Sequence, residues 1–266
     1  MVIIFMGDNM KIICLAENTS ACNGIGAEHG LSLYIEFKNH KILFDTGQSD
    51  LFAKNAEKLG VDLSEVDFAV LSHGHYDHGG GIAKFFEINK RAPLYISGKA
   101  FEPYFHGADR YIGLDISLQS SNRLIFTDKT AQIDKGIKLY THIGERKYNM
   151  GSMGLTVKQG GEYIPDDFCH EQYLLLEEAG KRVLISGCSH RGIIDIVNFF
   201  KPDVAVGGFH FSGLPADKKL EEFAKELGGG NTEFYTCHCT GVEQFEFMKK
   251  YMSRLFYISG GTEIII

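Results

Sequence analysis

The sequence predicts an α/β protein built as a two-layered sandwich with a functional site along one edge of its sheets. Apolar runs of strand length alternate with segments of helical periodicity along most of the 266 residues. The stretches FAVLSHGHYDHGGGI from Phe68 and RVLISGCSHRGII from Arg182 also share a layout: an apolar strand, a turn with Ser, Gly and His, and a helix start. Strand–turn–helix connections are common without any repeat. Two such halves would nevertheless suit two layers that meet at one site.

The first third of the chain predicts strands and two helices in a regular order. KIICLA is a strand, and LSLYIEF and KILFDTG form a hairpin around residues 38–40. A helix follows, capped by Ser49 or Asp50 and ended by Gly60. VDFAVLS is a continuous apolar run typical of a buried strand. GIAKFFEINK then predicts a short helix, and PLYIS predicts another strand.

The middle of the chain, residues 101–165, is less regular than the rest. NRLIFTD and IKLYTHI are typical of strands, and two segments rich in Gly, Tyr and Arg predict loops. We expect this region to be an insertion that faces the substrate. From residue 172 the regular order returns, with a hairpin turned at Ala179-Gly180 and helices alternating with strands. No Pro/Ser-rich linker interrupts the chain, so we expect one domain over residues 1–266.

Composition excludes several classes of partner. The net charge is −7 and the pI is about 5.9, which argues against nucleic acid or an anionic membrane as the main partner. No run reaches the roughly 18–20 apolar residues of a membrane span. A small-molecule substrate, which can itself be anionic, is compatible with this charge. The oligomeric state is not predicted.

The cysteines and the N-terminus indicate a cytoplasmic location. The first residues lack the basic start and the cleavage-like ending of a signal peptide. Six cysteines in a chain of this length do not suggest a disulfide framework, so we expect reduced thiols. The natural start of the chain is left open between Met1 and Met10.

The strongest chemical signal is a cluster of ligand-type side chains after the apolar run VDFAVLS. His73, His75, Asp77 and His78 fall within six residues, directly before three glycines. Side chains at i and i+2 of an extended segment face the same way, so His73 and His75 can both bind one cation. Asp77 and His78 lie past the turn and point to a neighbouring position. Neutral imidazoles suit zinc, and a carboxylate adds charge. The cluster therefore predicts a metal site.

These motifs resemble the metallo-β-lactamase superfamily. The similarity rests on HGHYDH after an apolar strand, with FDTG about thirty residues upstream. The segments ILFDTGQSD, ISGCSHRGI, GGFH and CHCTG extend it to a branch similar to the dihydropterin–ribofuranosylaminobenzene 5'-phosphate synthase family. The resemblance implies an αββα sandwich, with two mixed sheets, helices on the outer faces and one or two metal ions at one edge. It is weakest over residues 101–165.

The resemblance also implies a set of metal ligands and a residue that supports them. Asp45 would orient a ligand histidine or brace its loop. The expected ion is zinc, one or two per chain, with Mn²⁺, Fe²⁺ or Mg²⁺ as alternatives. The implied ligands are His73, His75 and His190 for the first ion, and Asp77, His78 and His238 for the second.

One position departs from the usual superfamily pattern. The bridging aspartate commonly follows the strand that matches VLISG, and here that position is Cys188. A thiolate can bind zinc, so Cys188 is a candidate ligand of the second ion. The alternative is that only a water or hydroxide bridges the two ions.

Further residues are weighed as secondary candidates. His210 ends the strand VAVGGFH and is either a proton donor or substrate contact, or a buried core histidine. Arg110 and Arg146 are candidates to bind an anionic substrate group, as are Arg123 and Lys147. His170 can mimic an upstream metal ligand. We expect Cys237 and Cys239 to be packing thiols, and we expect surface or loop positions for His29, His40, His106 and His142.

The predicted function is that of a metal-dependent hydrolase. A metal ion at this site would activate water for attack on an ester, lactone, thioester or phosphate ester, and Asp77 would align or deprotonate that water. Two alternatives stay open: a synthase that joins a dihydropterin diphosphate to a ribofuranosylaminobenzene phosphate, and a metal-binding or ligand-sensing protein without turnover. A diiron oxygen reductase would need a glutamate in place of His75 and a flavin domain.

Overall fold

The computed structural model describes residues 10–141, 143–144, 147–148 and 153–266, and two seven-stranded sheets dominate it. The strands of the first sheet are, in spatial order, Glu263–Ile265 (β18), Lys11–Ala16 (β1), Ser32–Phe37 (β2), His40–Phe44 (β3), Phe68–Val70 (β4), Leu94–Ser97 (β5) and Leu124–Thr127 (β8). Strands β3, β4, β5 and β8 run parallel, and the remaining neighbours pair antiparallel.

The second sheet combines four parallel strands with an antiparallel meander. In spatial order the strands are Leu255–Tyr257 (β17), Glu233–Thr236 (β16), Val204–Gly207 (β15), Lys181–Ile185 (β14), Tyr173–Glu178 (β13), Ile137–Tyr140 (β10) and Ala131–Asp134 (β9). Strands β14 to β17 are parallel, whereas β9, β10, β13 and β14 each pair antiparallel with the next.

The main core lies between the two sheets because strand side chains alternate between two faces. In β3, Ile42 and Phe44 point into the space between the sheets, whereas Leu43 faces outward towards the helices. In β14, Val183 and Ile185 point inward in the same way. Other side chains of this core are Ile12, Leu33, Ile35, Val70, Leu174 and Val206.

Helices cover the outer face of each sheet, which confirms the αββα architecture. On the first sheet, Phe52 and Phe85 anchor the helices to the outward side chains. On the second, Ile194, Leu220 and Phe245 do the same. The longest helix has 11 residues, so none in the described ranges is long and apolar enough to cross a membrane. The helices are Leu51–Lys58 (α1), Tyr76–Gly79 (α2), Ile82–Ile88 (α3), Ile193–Phe200 (α4), Lys218–Gly228 (α5) and Val242–Met248 (α6).

The start and end of α1 show how local sequence sets a helix. The Ser49 hydroxyl accepts the backbone N–H of Leu51 at 3.1 Å, so Ser49, rather than Asp50, supplies the side-chain cap. Gly60 has φ +72°, a left-handed conformation that glycine adopts without strain, and it follows the end of the helix.

A third, four-stranded sheet lies within residues 101–165. The prediction of a loop for EPYFHGADRYIGLD is wrong, because this segment contains two of the strands. They are only two and three residues long, and the one that pairs outside this segment has its partner about fifty positions further along the chain, so no alternating pattern marks them. Strands β8, β9 and β10 of the same region belong to the two large sheets. The third sheet is Glu162–Pro165 (β12), Leu155–Gln159 (β11), Tyr104–His106 (β6) and Arg110–Tyr111 (β7).

Candidate functional side chains follow the carboxyl ends of parallel strands. Asp45 follows β3, His73 follows β4, Cys188 follows β14, His210 follows β15 and His238 follows β16. Strands that run parallel end at the same edge of a sheet, where ligands bind in open α/β folds. Residues from both halves of the sequence therefore meet at one rim of the sandwich.

Candidate metal centre

The turn after β4 buries all four side chains of the HGHYDH cluster. His75 has extended backbone dihedrals, and the next residues form the one-turn helix α2. Gly74 is required between the histidines, because a Cβ there would lie 2.2 Å from the carbonyl oxygen of Ala100. The rings of His73 and His75 pack edge to face, 4.5 Å apart. Both side chains thus point towards the same side of the turn.

The first group of ligand atoms joins His73 and His75 to His190 from the second half of the chain. One ligand-type atom from each lies within 4.8 Å of the other two, and the Nε2 atoms of His73 and His190 are 3.3 Å apart. Nitrogens bound tetrahedrally to zinc at about 2.0 Å lie roughly 3.3 Å apart, so this spacing fits a shared ion. The Phe168 ring stacks on His190 at 4.5 Å, and Glu171 accepts the His190 backbone N–H at 2.7 Å.

A second group of ligand atoms surrounds His78. Its Nε2 lies 3.2 Å from Nε2 of His238 and 3.2 Å from the sulfur of Cys188. Asp77 Oδ2 lies 3.4 Å from Nε2 of His238 and 3.8 Å from Nε2 of His78. Cys188 also groups with His73 and His78, all within 4.8 Å. Cys188, which stands where the superfamily pattern commonly has an aspartate, therefore lies between the two groups.

Burial and mutual repulsion keep key imidazoles neutral. Burial, followed by the charges of neighbouring histidines, holds the pKa values of His73 and His190 well below their ordinary value. Burial raises the pKa of Asp77, but interactions with His78 and His238 outweigh it and hold that pKa well below its usual range. Neutral imidazoles and an ionised carboxylate are the protonation states that bind metals.

The residues present fit a divalent metal ion. Imidazole nitrogens, the Cys188 sulfur and the Asp77 carboxylate form groups of ligand-type atoms, and the atoms of each group lie within 4.8 Å of one another. Such a donor set is typical of a site for a divalent metal ion. Nitrogen, sulfur and carboxylate oxygen together suit zinc or another ion of intermediate softness better than Mg²⁺.

Asp45 connects the DTG turn to the ligand histidines. Its Oδ2 lies 2.6 Å from Nδ1 of His78 and accepts the Ser72 hydroxyl at 2.7 Å. Its Oδ1 accepts the Ser72 backbone N–H at 2.6 Å, and the Ser72 hydroxyl lies 2.8 Å from Nδ1 of His73. Asp45 has φ +59°, a strained conformation for a non-glycine residue that tends to persist at functional sites. The carboxylate thus directs Nε2 of His78 towards the ligand group.

His238 is held by residues that the sequence analysis did not single out. Glu17 Oε1 accepts the His238 backbone N–H at 2.6 Å and the Tyr257 hydroxyl at 2.8 Å. Asn18 Oδ1 lies 2.7 Å from Nδ1 of His238. Glu17 is buried at the end of a strand. A glutamate directly after the apolar run KIICLA is the signal that was available in the sequence.

A cavity of about 150 Å³ opens above the two ligand groups. Arg110 lies at its wall and donates to the Tyr76 hydroxyl at 2.9 Å. Two histidines expected at the surface or in loops, His29 and His106, also line this cavity, and Nε2 of His29 lies 3.2 Å from Asp77 Oδ2. The third sheet therefore supplies one wall of the cavity, opposite the ligand groups.

The other arginines have different positions. Arg146 lies outside the described residues. Arg123 donates to the carbonyl oxygens of Ala92 at 3.1 Å and Asn89 at 2.6 Å. The suggestion that Arg123 binds an anionic substrate group is therefore wrong, because backbone carbonyls occupy its guanidinium.

His210 lies beside the first ligand group, and Cys239 lies beside the second. The ring of His210 is 4.2 Å from that of His190, and burial, reinforced by nearby histidines, lowers the pKa of His210 to about 4. Cys239 is buried, as expected of a packing thiol, and it also groups with Cys188 and His238 within 4.8 Å and lines the cavity. Cys237 does pack in the core between the sheets, as expected.

A sequence model of the metallo-beta-lactamase superfamily matches residues 25–224. The chain belongs to the metallo-β-lactamase superfamily. An uncharacterised protein from Methanocaldococcus jannaschii, MJ0448, is 31% identical over 238 residues, covering 86% of this chain and 90% of that protein. The 7,8-dihydropterin-6-methyl-4-(beta-D-ribofuranosyl)-aminobenzene-5'-phosphate synthase of the same organism is 28% identical over 263 residues, covering 89% of each.

A solved structure of the superfamily has the same architecture. Tm1679, described as a metal-dependent hydrolase of the beta-lactamase superfamily, superposes with a TM-score of 0.84 at 29% identity. The match covers 97% of this chain and 99% of that one. The whole αββα sandwich, including the third sheet region, is therefore shared with this metallo-β-lactamase superfamily member.

Proposed function

We propose that this protein is a hydrolase that uses one or two zinc-type ions to cleave an ester, a lactone or a phosphate ester. The observation that carries the proposal is the convergence of ligand-type side chains from both halves of the chain around one cavity. The description of Tm1679 as a metal-dependent hydrolase supports the same reaction class.

In this proposal one set of residues binds the ions and another set contacts the substrate. When bound, the ions supply Lewis acidity, which lowers the pKa of water to about 7 and makes hydroxide available at neutral pH. The proposed ligands of the first ion are His73, His75 and His190, and those of the second are Asp77, His78, His238 and Cys188.

Asp77 is the proposed residue that aligns the attacking water and accepts its proton. Its side chain lines the cavity, and its Oδ2 atom lies 3.2 Å from Nε2 of His29 and 3.4 Å from Nε2 of His238. The water oxygen then bonds to the acyl carbon or phosphorus, the bond to the leaving oxygen breaks, and that oxygen takes up the proton from Asp77. His210 lines the same cavity and is the proposed contact for the substrate.

Arg110 is the proposed contact for an anionic group of the substrate. It lies on the third sheet, at the wall opposite the ligand groups, and it is exposed. Arg146 stays a prediction of the same kind. The proposed partner is thus a small molecule. The proposed location is the cytoplasm, where the six cysteines, none of them in a disulfide, would stay reduced.

The second candidate function is a synthase reaction. It is favoured by the similarity to the dihydropterin synthase, which extends over 89% of both chains. In that reaction a dihydropterin diphosphate is joined to a ribofuranosylaminobenzene phosphate, and diphosphate leaves. Incubation with the dihydropterin diphosphate and measurement of released pyrophosphate separates this function from hydrolysis of simple esters.

The proposed function is tested with the variant His75→Ala on a panel of lactones, carboxylic esters and phosphodiesters. We expect the wild-type protein to turn over at least one class and the variant to lose that activity while keeping its circular dichroism spectrum. The control is His40→Ala, because His40 bonds to Asp134 at 2.8 Å and does not line the cavity. Unchanged turnover in His75→Ala would show that His75 has no role in the reaction.

A further inference from the structure

A buried acid lies behind the first ligand group and has no role in the proposed reaction. Asp166 follows strand β12, and its side chain is 1% exposed. Its Oδ1 accepts the backbone N–H of Phe168 at 2.7 Å, and its Oδ2 lies 3.1 Å from Nε2 of His170. Asp166 and His170 also form a group with His75, with ligand-type atoms within 4.8 Å of one another.

The hydrogen bonds of His170 fix its tautomer. Its Nδ1 accepts the backbone N–H of Gly74 at 2.8 Å, so the proton of the neutral ring must be on Nε2, which donates to Asp166. The Tyr104 ring stacks on His170 at 4.0 Å. Both ring nitrogens of His170 are thereby engaged within the protein. His170 is therefore a support for the turn between His73 and His75, and it does not act as an upstream metal ligand.

The Asp166 carboxylate can accept a further hydrogen bond, and it faces His75. Its Oδ2 lies 3.9 Å from Nε2 of His75, which is just beyond hydrogen-bonding distance. Asp166 is therefore an acceptor that faces a buried ring nitrogen without a hydrogen-bond partner among the described residues.

We propose that Asp166 is a positioning residue, which accepts a hydrogen bond from Nε2–H of His75 and so leaves Nδ1 of that ring to bind the metal ion. The inference rests on the proposed function, since it takes His75 to be a ligand. A ligand histidine commonly donates its second ring proton to a carboxylate, which fixes the ring orientation and raises its basicity. Asp166 thus sets which nitrogen of His75 faces the ion, and His170 holds Asp166 in place.

The tautomer of His75 tests this proposal without any change to the supporting residues. The wild-type protein is loaded with zinc, and its histidine ring nitrogens are observed by two-dimensional ¹H–¹⁵N NMR, with His75→Gln used to assign the signal. We expect a protonated Nε2 and an Nδ1 shifted by the metal. A His75 ring that carries its proton on Nδ1 would overturn the proposal.

The variant Asp166→Asn tests the energetic consequence. Removal of a carboxylate that orients a ligand histidine typically weakens metal binding by about 10–100-fold, and we expect a zinc dissociation constant raised by that factor, measured by competition with a chelator. The matched control is Asp167→Asn, because Asp167 bonds to the backbone N–H and the thiol of Cys169, at 2.9 and 3.0 Å. We expect the control to bind zinc as the wild type does.

The outcomes separate this proposal from the proposed function. A wild-type zinc affinity in Asp166→Asn contradicts the positioning role, and the proposed function stands if His75→Ala still loses zinc. A wild-type zinc affinity in His75→Ala instead contradicts the ligand set itself. A purely structural role of Asp166 would lower the melting temperature of the zinc-free protein and leave zinc affinity unchanged. If Asp166→Asn does not fold, the His75 tautomer measured in the wild-type protein decides whether Asp166 has the positioning role.

Discussion

The sulfur of Cys188 lies 3.2 Å from Nε2 of His78, in the gap between two groups of buried histidines. Burial and the neighbouring Cys239 raise the pKa of the Cys188 thiol well above its ordinary value. The thiolate would therefore form when a cation is present to compensate its charge. The sulfur stands where the resemblance to the superfamily implies a bridging carboxylate, and it gives the site a softer donor set.

This relationship predicts a spectroscopic signature. In protein loaded with Co²⁺, a thiolate ligand produces a sulfur-to-metal charge-transfer band in the near ultraviolet, and Cys188→Ser should abolish it. Cys188→Asp should shift the preference from zinc towards Mn²⁺, because carboxylate is the harder ligand. The matched control is Cys237→Ser, since Cys237 is equally buried but packs between the sheets. A band that persists in Cys188→Ser would show that another thiol binds the ion.

Asp45→Asn should weaken both metal binding and the fold. The carboxylate accepts three hydrogen bonds at 2.6–2.7 Å in a fully buried position, and a buried donor left without its acceptor costs about 1–3 kcal/mol. We expect the free energy of unfolding of the metal-free protein, measured with urea, to fall by about that amount. Asp67→Asn is the control, because Asp67 is exposed and accepts the backbone N–H of Lys41 at 2.8 Å. Equal stability of the two variants would refute the role given to Asp45.

Gly74→Ala should destabilise the turn that presents His73 and His75. The added methyl group would lie 2.2 Å from the Ala100 carbonyl oxygen, so the backbone must move, which typically costs about 1–3 kcal/mol in a well-packed region. Thermal unfolding and zinc content of the purified variant measure the effect. Gly229→Ala serves as the control, since its methyl group would lie at least 3.4 Å from the nearest atoms. A Gly74→Ala protein that melts and binds zinc as the wild type does would contradict the close packing.

Arg110→Ala should affect substrate binding rather than the chemical step. For an anionic substrate we expect KM to rise about tenfold, equivalent to about 1.4 kcal/mol, with little change in kcat and no change for a neutral substrate. Arg91→Ala is the control, because Arg91 is exposed and pairs with Glu65 at 3.7 Å, away from the residues that line the cavity. A loss confined to kcat, or an equal loss for neutral substrates, would argue against an anion contact at Arg110.

The sequence predicted those features that depend on local pattern. The order of strands and helices outside residues 101–165 follows from apolar periodicity, and the αββα sandwich follows from the resemblance. The motifs GCSHRG and CHCTG pointed to His190 and His238, and the structure brings both to the 73–78 turn. Their role as metal ligands stays a prediction.

The supporting residues were not predictable because long-range contacts define them. Glu17 meets the backbone of His238 across 221 positions of sequence, and His170 meets Gly74 across 96. Neither pairing leaves a periodic or local signal. His29 is an exposed loop residue, as expected, and only the fold shows its contact with Asp77. Strand β6 of the third sheet was missed for the same reason, since its partner β11 lies about fifty positions further along the chain.

The most direct test of the account is the metal content of the untreated, purified protein and of two variants, His190→Ala and His238→Ala. Elemental analysis should find one to two equivalents of zinc, manganese or iron in the wild type, and less in each variant. Removal of the metal with a chelator should abolish turnover, and zinc should restore it. A wild-type protein that carries no metal, takes up none and keeps its activity in chelator would contradict the account.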